Sequence, residues 1–187
     1  YPIGALTQEL AGQKLAEMNG LARAGCIAFS QAKHPIIDTQ LLLRAMQYAA
    51  TFDYAVRLRP QDHFLAREGV AHDGEVASRL GLTGIPVSAE TVAIATALHL
   101  AGETGVRLHL SRLSSGAGVD LIRTARQSGV LVTCDVSIHH LHLSETDIGY
   151  FDSNSRFDPP LRSAADREAL RTAASDGLAA ICSDHTP

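Results

Sequence analysis

The feature that most constrains the fold of this chain is a regular alternation of short apolar runs with longer helical patterns. The short runs predict strands at residues 1–6, 25–30, 54–59, 106–111, 131–137 and 179–184. Between them, apolar residues recur at helical spacing over residues 10–24, 39–50, 90–103 and 119–127. Strands separated by helices pair in parallel, because the crossover helix returns the chain to the same edge of the sheet. The alternation therefore predicts an α/β fold with a parallel sheet.

The polar residues at the strand ends favour a barrel over an open sheet. Gln31, Arg59, Arg112, His139 and Asp184 lie at or just beyond the carboxyl ends of five different predicted strands. A (β/α)8 barrel assembles its site from many strand ends at once, whereas an open doubly wound sheet concentrates it at one switch point. The sequence also lacks G-x-G-x-x-G and the P-loop lysine motif. We therefore predict a TIM barrel.

Composition excludes several classes of protein. The 187 residues include 45% hydrophobic residues and carry a formal net charge of -4, with acids and bases interspersed. This fits one globular unit and argues against a nucleic-acid or membrane surface. The three cysteines lie in predicted strands, which indicates a reducing, cytoplasmic setting without a disulfide framework. Surface exposure is expected for the four histidines in predicted loops and helices: His34, His63, His72 and His99.

Four motifs carry a family resemblance. They are Leu-Gly-Leu-Thr-Gly-Ile-Pro at 80–86 followed by Ala89-Glu90, Val132-Thr133 with His139-His140-Leu141, Asp158-Pro159-Pro160-Leu161-Arg162, and Ser183-Asp184-His185-Thr186-Pro187. In this order and spacing they resemble the dihydroorotases of the amidohydrolase superfamily, particularly those that accompany aspartate transcarbamoylase in pyrimidine synthesis. The resemblance implies a (β/α)8 barrel of which this chain covers approximately strands 3 to 8. We expect residues 1–187 to form a single incomplete barrel domain, with the first two strands and the C-terminal part outside this sequence.

The resemblance also implies a zinc site, and here its positions are degenerate. Dihydroorotases open and close a cyclic amide with zinc-activated water, which requires imidazoles and carboxylates around the metal. The positions that match the family's ligands hold Ala32, Arg59 and Arg112, none of which offers a lone pair to a cation. Asp184 alone is retained, at the position of the family's proton-transfer aspartate, and is predicted to be vestigial. We expect no metal and no cofactor.

Other positions match the family's substrate pocket. They are Asp158, where the family has asparagine, together with His139, His140 and His185. An inherited structural role is expected for the His139–His140 pair; the alternative is a new metal cluster in which His140 and His142 share a strand face.

Two arginines in a former cation site suggest direct pairing with the retained aspartate. We expect Arg59 or Arg112 to contact Asp184 within ion-pair distance. His109 lies three residues before Arg112, and since even spacing keeps side chains on one face of a strand, it should point elsewhere.

Three functions follow in order of preference. The first is a non-catalytic dihydroorotase-like protein, an oligomer and structural partner of aspartate transcarbamoylase. The second is an active zinc-dependent cyclic amidohydrolase with a one-metal or rearranged site. The third is a small-molecule binding module that uses the old pocket.

Overall fold

The computed structural model describes residues 1–184, which form eight strands and seven helices. The strands are β1 (Ile3–Ala5), β2 (Ala28–Ser30), β3 (Ala55–Leu58), β4 (Ala71–His72), β5 (Gly84–Ile85), β6 (Arg107–Leu113), β7 (Val132–Ser137) and β8 (Ala179–Cys182). The helices are α1 (Met18–Arg23), α2 (Thr39–Thr51), α3 (Glu75–Leu80), α4 (Ser88–Thr104), α5 (Gly116–Gln127), α6 (Ile138–His142) and α7 (Ala164–Ser175). Three 3₁₀ turns lie at Gln8–Leu10, Glu145–Ile148 and Ser153–Ser155.

Six of the strands form one parallel sheet in the order β1-β2-β3-β6-β7-β8. These are the six predicted strands, each shorter or shifted by a few residues. The order follows the chain in one direction without reversal, so the sheet has no switch point of the doubly wound kind. A sheet that grows steadily in one direction, with crossover helices between its strands, is an arc of a (β/α) barrel. This confirms the predicted fold class.

The core lies between this sheet and its helices. Phe29, Met46, Ile94, Leu110 and Ile122 are all fully buried and belong to one apolar cluster. The Asp38 carboxylate accepts hydrogen bonds from the first free N–H groups of α2, as its N-cap position predicts. No helix among residues 1–184 is long and apolar enough to cross a membrane.

An excursion between β3 and β6 forms a small second layer that the sequence did not predict. β4 and β5 pair in parallel, and a separate apolar cluster that includes Val76 and Ile148 packs beneath them. Arg162 ties this layer to the barrel, because its guanidinium donates to the Ile85 carbonyl at 2.5 Å and to His72 Nδ1 at 3.0 Å. His72 is therefore half-buried, and the prediction that it is surface-exposed was wrong.

Two further local predictions were wrong, and one helix was missed. Within predicted helix 10–24 only Met18–Arg23 is α-helical. The helix α7 was not predicted. The strand does not continue beyond Ser137, whose side chain caps α6 instead, so His140 and His142 do not share a strand face.

Candidate functional site

The carboxyl ends of the main strands surround an open cavity of about 820 Å³. Arg59 follows β3, Arg112 lies near the end of β6, Asp158 lies in the loop after α6, and Asp184 follows β8. All four line the cavity, together with Ala32, which follows β2. The structure thus brings together the three positions that the resemblance assigned to metal ligands, the proton-transfer aspartate and one of the substrate-pocket positions, Asp158. We call this cavity the mouth.

Arg112 stands at a position that the resemblance assigns to a metal ligand. Its Nε lies 2.8 Å from Asp184 Oδ1, which confirms the expected ion pair for this arginine. The pairing of β6 with β7 shifts register between Leu110 and Leu113, and Arg112 takes a left-handed conformation with φ 60°. This irregularity directs the side chain toward β8, so simple alternation along the strand does not apply here.

Arg59 has a different partner from the expected one. Its two terminal nitrogens contact the two carboxylate oxygens of Asp158 at 2.6 and 2.8 Å. This bidentate pairing joins the end of β3 to the segment before the double proline. The Arg59 guanidinium and the Asp158 carboxylate therefore neutralise each other. The proposal that Arg59 itself pairs with Asp184 is not supported.

Asp135 organises the interior below the mouth, and the sequence reasoning missed it. Its carboxylate contacts Arg57 on β3 at 3.2 Å and His109 Nε2 on β6 at 2.8 Å. It also accepts hydrogen bonds from the Arg112 backbone N–H at 2.8 Å and the Cys182 thiol at 3.2 Å. Burial acts to raise the pKa of Asp135, but the donors outweigh it, hydrogen bonding from His109 foremost, and hold the pKa below its usual value. In the sequence, the feature that could have indicated these contacts is a set of polar residues inside otherwise apolar strands.

Asp135 also explains the different directions of two β6 side chains. His109 points to Asp135, whereas the Arg112 side chain points to Asp184. The carboxylate of Asp135 holds the Arg112 backbone N–H, and so fixes the irregular backbone that aims this arginine.

His139 and His140, which the resemblance places at the substrate pocket, are not among the residues that line the mouth and contact the segment around the double proline instead. His140 is 3% exposed, and its Nε2 lies 3.2 Å from the Pro160 carbonyl oxygen, so this nitrogen donates the hydrogen bond. Its Nδ1 is buried with no hydrogen-bond partner among the described residues. Burial lowers the pKa of His140 to about 4, so the ring is neutral near pH 7. His139 packs against Phe157 with ring centroids 4.6 Å apart. His185 lies outside the described residues.

These residues do not fit a zinc ion. Ala32 offers only a methyl group, and Arg59 and Arg112 offer only guanidinium groups. The Asp184 carboxylate, which would bind the metal ion, already contacts the guanidinium of Arg112 at 2.8 Å. Between residues 1 and 184, no group of three His, Cys, Asp or Glu side chains is placed to hold a metal ion. The charged side chains of the mouth form ion pairs with one another, and the side chains of Ala32, Arg59 and Arg112 offer no lone pair to a metal ion.

A second buried network joins two of the family motifs. The Glu90 carboxylate is 3% exposed and accepts hydrogen bonds from the backbone N–H groups and the hydroxyls of Ser114 and Ser115. Arg162 Nε donates to the Ser114 hydroxyl at 3.2 Å. Burial raises the pKa of Glu90 and lowers that of Arg162. The motif residues Glu90 and Arg162 therefore fix the turn after β6 that supports the mouth. Glu90 lies in the first turn of α4, so this acceptor is held at the start of a helix.

The fold and the polar residues at the strand ends define a segment of a (β/α) barrel of the TIM type. The solved L-hydantoinase (dihydropyrimidinase) from Arthrobacter aurescens superposes with a TM-score of 0.80 at 23% identity, over 98% of this chain and 42% of that one. A dihydroorotase from Campylobacter jejuni superposes with a TM-score of 0.66 at 12% identity, over 90% of this chain and 47% of that one. At these identities the likeness shows the fold alone.

The sequence comparisons narrow the class to a family. A family model described as dihydro-orotase-like matches residues 1–117. A dihydroorotase-like protein of Pseudomonas aeruginosa is 47% identical over 100% of this chain and 44% of its own length, and a dihydroorotase of Pelotomaculum thermopropionicum is 42% identical with the same coverage. The chain belongs to the dihydroorotase-like family. It spans about 44% of the length of these curated relatives.

Proposed function

We propose that this chain belongs to a non-catalytic dihydroorotase-like protein of the pyrimidine pathway. The observation that carries the proposal is the contact between Arg112 Nε and Asp184 Oδ1 at 2.8 Å. Catalysis of the dihydroorotase kind needs a Lewis acid and a carboxylate free to carry a proton. In this chain an arginine stands at a ligand position and its positive charge holds that carboxylate. The fold is independent of this loss, because the packed core and the strand-end residues are separate parts of a barrel.

The proposed role is structural. We propose that the protein is cytoplasmic, oligomeric and a partner of aspartate transcarbamoylase, as the family resemblance implies. The network of Glu90 and Arg162 supports a structural role, because its hydrogen bonds to Ser114 and Ser115 fix the turn after β6.

Metal content and turnover, measured on one sample of the full-length protein, test the loss of catalysis. We expect no stoichiometric zinc by plasma mass spectrometry and no hydrolysis of dihydroorotate. The dihydroorotase of Pelotomaculum thermopropionicum, handled identically, is the positive control. Near-stoichiometric zinc with turnover would overturn the proposal and favour an active one-metal enzyme.

A separate experiment tests the partnership. The full-length protein is mixed with aspartate transcarbamoylase of the same organism and analysed by size-exclusion chromatography with light scattering. We expect a stable complex with a defined mass. Independent elution of the two proteins at micromolar concentration would refute the structural role without bearing on the loss of catalysis.

A further inference from the structure

One histidine joins the small layer, which consists of β4, α3 and β5, to the barrel. His72 on β4 is half-buried, and its Nδ1 lies 3.0 Å from a terminal nitrogen of Arg162. A guanidinium group has donors only, so Nδ1 must accept this hydrogen bond through its lone pair. The contact therefore exists only while Nδ1 carries no proton, and the form that binds Arg162 is the neutral ring with its proton on Nε2.

Arg162 is bound to both sides of this junction. Its guanidinium also donates to the Ile85 carbonyl on β5, and its Nε donates to the Ser114 hydroxyl on the turn after β6. Its own carbonyl oxygen accepts a hydrogen bond from the Glu145 backbone N–H at 2.8 Å. Because Arg162 is only 4% exposed, little water would screen it from a second positive charge on the neighbouring ring.

A carboxylate oxygen without a hydrogen-bond partner lies near the Nε2 edge of the ring. This atom is Glu145 Oε2, which is buried and accepts no hydrogen bond within residues 1–184. A Cβ on Gly74 would lie 2.6 Å from Glu145 Oε2 and 3.2 Å from His72 Nε2, so both atoms border the space that the glycine leaves open. A protonated ring would therefore be repelled by Arg162 and attracted to Glu145.

The surrounding charges determine the direction in which this ring titrates. They are Arg162, Glu145, Asp73 and Asp166. Burial lowers the pKa of His72 below 6.5, and the positive charge of Arg162 acts in the same direction. The three carboxylates act to raise the pKa but do not outweigh these two effects. Since the pKa is lower in the folded chain than in the unfolded chain, the contact is stable above pH 6.5 and weakens as the pH falls below it.

We propose that His72 is a proton-controlled latch, which fixes the small layer to the barrel at neutral pH and releases it in mild acid. On protonation the Nδ1 lone pair is lost, Arg162 loses one acceptor, and the positive ring is attracted to Glu145. Because Arg162 also donates to Ser114, the release reaches the turn that supports the mouth. The inference depends neither on the loss of catalysis nor on a partnership with aspartate transcarbamoylase.

Hydrogen–deuterium exchange of the full-length protein, read by mass spectrometry from about pH 7.5 to about pH 5, tests the latch. Protection is compared after correction for the intrinsic exchange rate at each pH. We expect residues 70–85 to exchange through a local opening, with less protection than residues 107–113 of β6, and to lose about tenfold in protection over this range. Equal protection of the two segments at about pH 5 would show that the small layer stays attached, and would overturn the proposal.

Variants assign the opening to His72. The amide oxygen of glutamine can accept from Arg162 and does not titrate, so His72→Gln should keep residues 70–85 protected to the same extent across the range. Glu145→Gln removes a charge that favours the protonated ring, so the loss of protection should move to lower pH. His99→Gln changes an exposed ring on α4 and is the matched control, for which the wild-type profile is expected. A wild-type profile in His72→Gln, or a flat profile in His99→Gln, would refute the assignment.

Discussion

Buried His140 predicts a loss of stability in mild acid. The ring is 3% exposed, donates from Nε2 to the Pro160 carbonyl, and holds Nδ1 without a partner in the described part of the chain. Protonation would place a charged, unpaired N–H in an apolar site, which is why the pKa falls from 6.5 to about 4 on folding.

Proton linkage gives the direction and the size of this change in the free energy of unfolding. Between pH 4 and 6.5 the unfolded chain binds a proton at His140 that the folded chain does not bind, so the free energy of unfolding falls as the pH is lowered through this window. A change in pKa from 6.5 to about 4 corresponds to about 3 kcal/mol at 1.36 kcal/mol per pKa unit.

Urea unfolding, followed by circular dichroism from pH 4 to 7.5, measures this loss. His140→Gln removes the titrating group, so its stability should depend less on pH in this window, by about 2–3 kcal/mol. His142→Gln changes an exposed ring on the same short helix and should retain the wild-type slope. If His140→Gln and wild type lose stability in parallel between pH 6.5 and 4, the reasoning is wrong.

Three further substitutions probe the packing beneath the mouth. Glu90→Ala leaves the donors of Ser114 and Ser115 unpaired and should cost about 3–5 kcal/mol in urea unfolding, whereas Glu103→Ala, exposed on the same helix, should cost less than about 0.5 kcal/mol. Gly118→Ala should cost about 1–3 kcal/mol, because a Cβ there would lie 2.6 Å from Glu90 Oε1; an unchanged unfolding midpoint would contradict the tight packing. Phe29→Ala, in the fully buried core, should lower stability by about 3–5 kcal/mol, and a loss below about 1 kcal/mol would show that this core is loosely packed.

Local periodicity was sufficient to locate the strands of the main sheet, though not β4 and β5. Six short apolar runs separated by helical patterns predicted the six strands of the main sheet, and Asp38 marked the start of α2. These features depend on residues close together in the chain, where the geometry of a strand or a helix turn fixes which positions are buried. Motif order likewise placed Ala32, Arg59, Arg112, Asp158 and Asp184 at one site, and all five line the mouth.

The partners within that site were decided by the tertiary structure alone. Arg59 could pair with Asp184 or Asp158 as far as the sequence is concerned, and it pairs with Asp158, 99 residues away. The choice depends on the irregular backbone at Arg112, which occupies the space beside Asp184, and on Asp135, which holds that backbone from the neighbouring strand. Contacts of this kind arise where strand ends converge, and no local pattern of residues records which side chains will meet there. The sequence thus determined which charges enter the mouth, and the packed barrel determined how they pair.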